Sequence, residues 1–88
     1  MARISIDKEH ITEAIKTCGE ALVQELKEKG DGVFVTTHEI TGVIAEEYHE
    51  LIDALRSNNR ENFRKELIDL AVAAIFAIAS IDSREMDW

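Results

Sequence analysis

Two pairs of acidic residues, each pair spaced three positions apart, occur on two successive amphipathic segments. Glu47 and Glu50 form the first pair, and Glu66 and Asp69 form the second. Residues three apart in an α-helix are neighbours on one face, so each pair brings two like charges together. Partly buried carboxylates are costly unless they take up a proton or bind a cation. Oxygen-only ligands without a nearby Cys or His cluster favour a hard cation, Mg²⁺ or Mn²⁺.

The apolar pattern predicts helices that would hold these carboxylates beside a core. At about 100° per residue, the apolar arc of the segment 37–56 includes Glu47, and Glu50 lies at the rim of that arc. On the next segment, Asp69 interrupts the apolar run "LIDLAVAAIFAIASI". If the two helices pack antiparallel across the short "SNN" turn, the four carboxylates converge, and the sequence predicts a metal site there.

An alternative interpretation is that the carboxylates are solvated or ion-paired. The chain has 18 acidic and 10 basic residues and a net charge of −8, so closely spaced acidic residues also arise by chance. Basic side chains near the two motifs could neutralise one or two of them: Arg56, Arg60, Arg64 and Lys65. The chain would then be a non-catalytic helical oligomerisation module.

Helices should dominate the fold, because the chain contains no proline and its apolar residues recur at three- and four-residue steps. We expect a single all-α domain over 1–88, with three helices at about 7–29, 37–56 and 60–81. Thr36 and Glu39 have the spacing of a capping box at the start of the second helix. Gly30 suits a left-handed cap at the end of the first.

The third helix is apolar almost all round, so it requires cover on several sides. Two other helices in a chain of 88 residues can hardly provide that cover. We therefore expect an oligomeric helical bundle, a homodimer or a homotetramer, whose four-helix-bundle core is completed by another subunit. An alanine-rich core within a monomer is the alternative.

Composition and charge exclude several classes of protein. A net charge of −8 argues against binding to nucleic acid, which requires a basic surface. The first ten residues contain no long apolar stretch of the kind found in a signal peptide. The longest apolar run, 67–81, is too short and too charged to span a bilayer. We expect a soluble, cytoplasmic protein with no membrane partner.

The ordered acidic motifs resemble the signature of the MazG-like branch of the all-α nucleoside triphosphate pyrophosphohydrolases. Glu47-x-x-Glu50 is followed after 15 residues by Glu66-x-x-Asp69, and "THEITGVIAEEYHE" resembles the Thr-His element and paired glutamates upstream. The resemblance implies that these four residues bind Mg²⁺, or alternatively Mn²⁺, and that Glu46 orients or deprotonates the attacking water. It implies an enzyme that cleaves a ribo- or deoxynucleoside triphosphate to the monophosphate and pyrophosphate.

The residues that would contact the substrate are marked less clearly. His38 matches the Thr-His element, although a structural role is the stronger interpretation. Larger family members carry phosphate-binding basic residues beyond the second motif, whereas 71–81 contains none. Arg84, or a basic residue of a neighbouring subunit, would have to serve. Trp88 is either disordered or docked over a neighbouring subunit's pocket.

A second enzymatic interpretation is phosphoribosyl-ATP pyrophosphohydrolase of histidine biosynthesis, which shares the fold and the acidic motifs. The "THEI" element resembles the MazG-like branch instead. The basic residues expected around the motif of the histidine enzyme are also missing. We therefore expect the MazG-like activity.

Overall fold

Three α-helices make up the computed structural model, which describes residues 2–88. They are α1 (Lys8–Lys29), α2 (Thr37–Arg56) and α3 (Arg60–Ser83). The all-α expectation is confirmed, since the described part of the chain contains one isolated β-bridge and no strand. None of the helices in residues 2–88 has the length and apolar character needed to cross a membrane.

The start of each helix is capped by a side chain that accepts a backbone N–H. Asp7, Thr36 and Asn59 serve α1, α2 and α3 respectively. The side chain of Glu39 departs from a standard capping box, because its carboxylate accepts the N–H of Val35 at 2.8 Å rather than that of Thr36. The second cap therefore also holds the end of the connector that precedes α2.

The end of α1 is set by Gly30, whose N–H donates to the carbonyl of Leu26 at 2.9 Å. Gly30 has a φ of 86° and a ψ of 178°, so its φ is positive as expected but its ψ is extended rather than left-handed helical. Such a φ favours glycine. The chain leaves α1 there and crosses to α2.

The connector over 31–36 is held by α3 and by the C-terminal tail. The N–H of Phe34 donates to the hydroxyl of Ser80 at 3.2 Å, and Ser80 is buried. The N–H of Asp87 donates to the carbonyl of Val35 at 2.8 Å. These two hydrogen bonds hold the connector in place, and with it the aromatic ring of Phe34.

The core lies between α2 and α3, which form an antiparallel hairpin, while α1 packs on α3. Its buried members are Leu51, Ala54, Glu66, Val72, Ala77 and Ser80. Large apolar side chains remain exposed elsewhere, including Ile15 on α1 at 69% and Ile78 on α3 at 59%. Exposed apolar side chains mark contact sites between proteins where they form a contiguous patch. Assembly into an oligomer remains a prediction.

Candidate metal centre

The middle of the α2–α3 hairpin brings together three of the four predicted metal ligands. Glu47, Glu66 and Asp69 each offer one carboxylate oxygen, and these oxygens lie within 4.8 Å of one another. Glu66 is buried, and the other two are half-buried. Oxygen ligands sit about 2.3–2.6 Å from Ca²⁺ and about 2.0–2.1 Å from Mg²⁺, so two ligands of one ion are at most about 5 Å apart for Ca²⁺ and about 4 Å apart for Mg²⁺. The separation is therefore compatible with a shared cation.

Two oxygens of this cluster lack any protein partner. Glu47 Oε2 and Glu66 Oε2 are inaccessible to solvent and accept no hydrogen bond from the residues that the structure describes. A buried polar atom without a partner costs about 1–3 kcal/mol, and more when it is charged. The cluster contains neither thiolate nor imidazole ligands. The donor set thus fits a hard divalent cation such as Mg²⁺ or Mn²⁺.

The electrostatics of the cluster disfavour ionised carboxylates. Burial raises the pKa of Glu47, and the charges of Glu50, Asp69 and Glu66 raise it further. Burial also raises the pKa of Glu66, against the opposing effect of the Lys65 ammonium. A bound divalent cation would reverse this balance, because it favours the charged form of every carboxylate around it.

Glu50, the fourth predicted ligand, lies at the rim of the cluster. Its side chain is exposed on α2, outside the set of three oxygens. It is nevertheless close enough to Glu66 that, after burial, its negative charge helps to raise the pKa of Glu66. The structure therefore places Glu50 beside the cluster, on its solvent side.

Lys65 is the basic residue that pairs with the cluster on α3. Its Nζ lies 3.1 Å from Asp69 Oδ2 and 3.7 Å from Glu66 Oε1. The Lys65 side chain is 67% exposed, and exposed ion pairs contribute little to stability, about 0–1 kcal/mol. This pair agrees with ion pairing for Asp69, but it leaves the second oxygen of Glu66 without a partner.

A cavity of about 280 Å³ opens beside the cluster, between α1, α2 and α3. Glu47 and Asp69 lie on its wall together with Glu25 and Lys29 of α1. The remaining lining is mostly apolar: Leu22, Leu26, Phe34, Val43, Val72, Ala73 and Phe76, with Gly30 and Gly32. The rings of Phe34 and Phe76 meet edge to face, with centroids 5.3 Å apart. The acidic cluster thus adjoins a mostly apolar hollow.

The contribution of α1 to this wall was not predicted from the sequence, where this segment was expected only as a helix that ends at Gly30. The signal was present, because Leu22, Glu25, Leu26 and Lys29 have the i, i+3, i+4, i+7 spacing of one helical face. Lys29 Nζ lies 2.8 Å from Glu25 Oε1, so the two charged residues of that face form an ion pair.

The predicted catalytic residue Glu46 is exposed on α2, one position before Glu47 and outside the cluster of oxygens. His38 is exposed in the first turn of α2. It precedes Glu47 by nine residues, or about 14 Å along the helix axis. The structure thus leaves Glu46 open to solvent near the cluster and places His38 at a distance from it.

The other two predicted substrate contacts lie at the far end of the hairpin. Arg84 follows Asp69 by 15 residues, about 22 Å along α3, and ends that helix with a φ of 61°. Trp88 is 88% exposed, and its carbonyl accepts the hydroxyl of Thr37 at 2.8 Å. Within one chain, neither residue is brought to the carboxylates, so such contacts would require a second subunit.

The sequence profile of the MazG nucleotide pyrophosphohydrolase domain matches residues 35–88. The match covers more than half of the chain and contains α2 and α3 completely. The chain belongs to the MazG family. The resemblance of its acidic motifs to that family is thereby confirmed. No curated protein and no solved structure gives a significant match to the chain.

The MazG match begins at Val35, so the hairpin that carries Glu47, Glu66 and Asp69 lies inside it. Helix α1, with Glu25 and Lys29, lies outside it. The acidic cluster therefore lies within the matched range, whereas Glu25 and Lys29 lie before it.

Proposed function

We propose that the protein is a divalent-metal-dependent pyrophosphohydrolase that cleaves a ribo- or deoxynucleoside triphosphate to the monophosphate and pyrophosphate. The observation that carries the proposal is the cluster of Glu47, Glu66 and Asp69, whose oxygens lie within 4.8 Å inside the MazG segment. Two of these carboxylates keep a buried oxygen without a partner. A purely structural cluster of ion-paired residues would not leave these atoms unsatisfied.

The residues that would hold Mg²⁺ or Mn²⁺ are Glu47, Glu66 and Asp69, with Glu50 joining from the rim. The bound ion supplies electrostatic stabilisation for the charge that develops on the phosphate oxygens. Three carboxylates from two helices would hold such an ion, and two of them, Glu47 and Asp69, line the cavity. A bound cation would therefore allow this negatively charged chain to bind a polyanionic substrate at the cluster.

Glu46 acts on the attacking water. Its exposed carboxylate takes one proton from the water, and the water oxygen forms a bond to the α-phosphorus of the substrate. The bond between the α-phosphorus and the bridging oxygen breaks, and pyrophosphate leaves with that oxygen. A carboxylate outside the metal cluster suits this role, because it remains free to accept a proton.

The mostly apolar cavity receives the nucleoside. At about 280 Å³ it lies at the small end of the range of ligand pockets, and its walls carry mostly apolar side chains. The edges of the cavity near Glu47 and Asp69 would face the phosphates, and Phe34 and Phe76 would contact the base. Self-association into a homodimer or homotetramer would allow His38, Arg84 or Trp88 of a second chain to complete the pocket.

A pyrophosphate-release screen tests this function. The panel contains the ribo- and deoxynucleoside triphosphates and phosphoribosyl-ATP, each with Mg²⁺ and with Mn²⁺. We expect turnover of at least one nucleoside triphosphate and none without metal. Turnover of phosphoribosyl-ATP alone would favour the histidine-pathway reaction, and no turnover from a folded, metal-binding protein would contradict the enzymatic proposal.

The chain contains its own matched control for this screen. The letters "ELID" occur at Glu50–Asp53 and again at Glu66–Asp69. Asp69 belongs to the cluster, whereas Asp53 is exposed and lies near His49 at 3.7 Å. We expect Asp69→Asn to abolish turnover with unchanged helix content by circular dichroism, and Asp53→Asn to retain it. Unfolding of Asp69→Asn would instead indicate a structural role.

A further inference from the structure

The cavity wall carries a lysine, Lys29. It stands in the last turn of α1, across the cavity from Glu47 and Asp69, and among residues 2–88 it is the only basic residue that lines this cavity. Lys65, the other cation near the carboxylates, pairs with Asp69 from outside the cavity. A polyanion in the cavity would therefore meet one ammonium group, that of Lys29.

We infer that Lys29 binds the phosphate chain of the substrate and that Glu25 is its partner in the absence of substrate. The inference rests on the proposed function, since it assigns a residue to the substrate of the same site. It replaces the expectation that this role falls to a residue beyond the second acidic motif. Arg84 is about 22 Å along α3 from Asp69, whereas Lys29 shares the cavity with it.

The geometry of the ion pair supports this role. Lys29 Nζ lies 2.8 Å from Glu25 Oε1, and both residues line the cavity. The pair places the Lys29 ammonium on the helix face that lines the cavity, although an exposed pair of this kind holds the side chain only weakly. The Lys29 side chain is 72% exposed, so phosphate oxygens can reach its ammonium and replace Glu25 as its partner.

The backbone beside Lys29 leaves room for a ligand. Gly30 and Gly32 line the same part of the cavity, and a Cβ added to either would meet nothing within 4 Å. The positive φ of Gly30 turns the chain away immediately after Lys29. The backbone that follows Lys29 therefore places no side chain in the cavity at Gly30 or Gly32.

Neighbouring carboxylates favour the charged form of Lys29. The hydrogen bond to Glu25 and the charge of Glu25 raise the pKa of Lys29, and Glu47 and Asp69 add to this effect. The Lys29 side chain therefore carries its positive charge at neutral pH. A cation on one wall and metal ions held on the other would bind phosphates from both sides.

Calorimetric titration of the full chain tests the inference, with Mg²⁺ alone and then inorganic pyrophosphate in excess Mg²⁺ as the two probes. Lys29→Met keeps most of the aliphatic stem and removes the charge. Lys27→Met is the matched control, because Lys27 stands in the same last turn but outside this cavity. Lys29→Arg keeps the charge.

We expect all three variants to bind Mg²⁺ as the unmodified chain does. Pyrophosphate affinity should fall about tenfold in Lys29→Met, as expected for a charge-assisted hydrogen bond, and stay within about twofold in Lys27→Met and Lys29→Arg. Equal pyrophosphate affinity in Lys29→Met and the unmodified chain would overturn the inference and leave the metal centre intact. Failure of the Mg²⁺-loaded chain to bind pyrophosphate would do the same. Failure to bind Mg²⁺ at all would overturn the proposed function together with the inference.

Discussion

Replacement of Glu66 by glutamine should change the stability of the protein in opposite directions with and without metal. Glu66 is 8% exposed and keeps one oxygen without a partner, next to the carboxylates of Glu47 and Asp69. Without metal, Glu66→Gln removes a buried charge from a repulsive cluster, and the new amide N–H can donate to a neighbouring carboxylate. Relief of one unsatisfied buried group stabilises the fold by about 1 kcal/mol or more at neutral pH.

The metal should stabilise the unmodified chain by a larger amount. An ion that binds the folded state alone adds about 2.7 kcal/mol at a concentration 100 times its Kd. For a domain of this size, 1 kcal/mol shifts the melting temperature by about 4–8 °C, so saturation should raise it by about 10–20 °C. Glu66→Gln removes one of three clustered ligands and should lose most of that gain.

Thermal unfolding followed by circular dichroism, first with EDTA and then with excess Mg²⁺ or Mn²⁺, measures both effects. Glu66→Gln should melt higher than the unmodified chain in EDTA and lower in the presence of metal. Glu46→Gln is the control, because it removes an exposed charge outside the cluster and should keep the metal-dependent gain. If Glu66→Gln is less stable in both conditions, Glu66 supports the fold and the reasoning from its unpaired oxygen is refuted.

Two further predictions concern pH and assembly. The pKa values of Glu47 and Glu66 lie above the ordinary 4.5, so the folded metal-free protein binds more protons than the unfolded chain in that interval. Its stability should therefore fall as the pH rises from about 4.5 through the raised pKa values of Glu47 and Glu66. A urea midpoint that rises over this pH range would contradict the raised pKa values of these two residues. Light scattering should give a mass above the 9.9 kDa of one chain, reduced by Ile78→Glu on the exposed apolar face of α3. A monomeric unmodified chain would show that this face is not a subunit contact.

The fold was predictable from the sequence where its determinants are local. Thr36 and Asn59 mark helix starts through side chains that cap backbone groups within three residues. Because the turn between α2 and α3 is short, the two helices are expected to pack as an antiparallel hairpin. With that pairing, the three- and four-residue spacing brings Glu47 level with Asp69, and the acidic cluster follows.

The face of α2 was predicted less well. Tyr48 and Leu55 lie on the expected apolar arc, yet they are 57% and 59% exposed. In the described chain α2 packs on α3 alone, so only a narrow stripe of it, including Leu51 and Ala54, is buried. The periodicity shows which residues share a face, but the number of neighbours decides how much of that face is covered.

The wall formed by α1 depends on tertiary packing, which no local pattern specifies. The spacing of Glu25 and Lys29 places them on one face, but their approach to Glu47 is set by how α1 docks on α3. That docking depends in turn on the path of the connector after Gly30, which Ser80 and the C-terminal tail hold through hydrogen bonds. The sequence therefore predicted the acidic half of the site and missed the half that faces it.

The hydrogen bond between Asp87 and Val35 joins the two ends of the segment that contains α2 and α3. Val35 opens the MazG segment and Asp87 stands next to its end, so a hydrogen bond closes the hairpin into a ring. Helix α1 is a separate attachment, joined through 30–34 and seated on α3. The ring carries the acidic cluster, whereas the attachment carries Lys29. A change in α1 would therefore alter one wall of the cavity while leaving the acidic cluster in place.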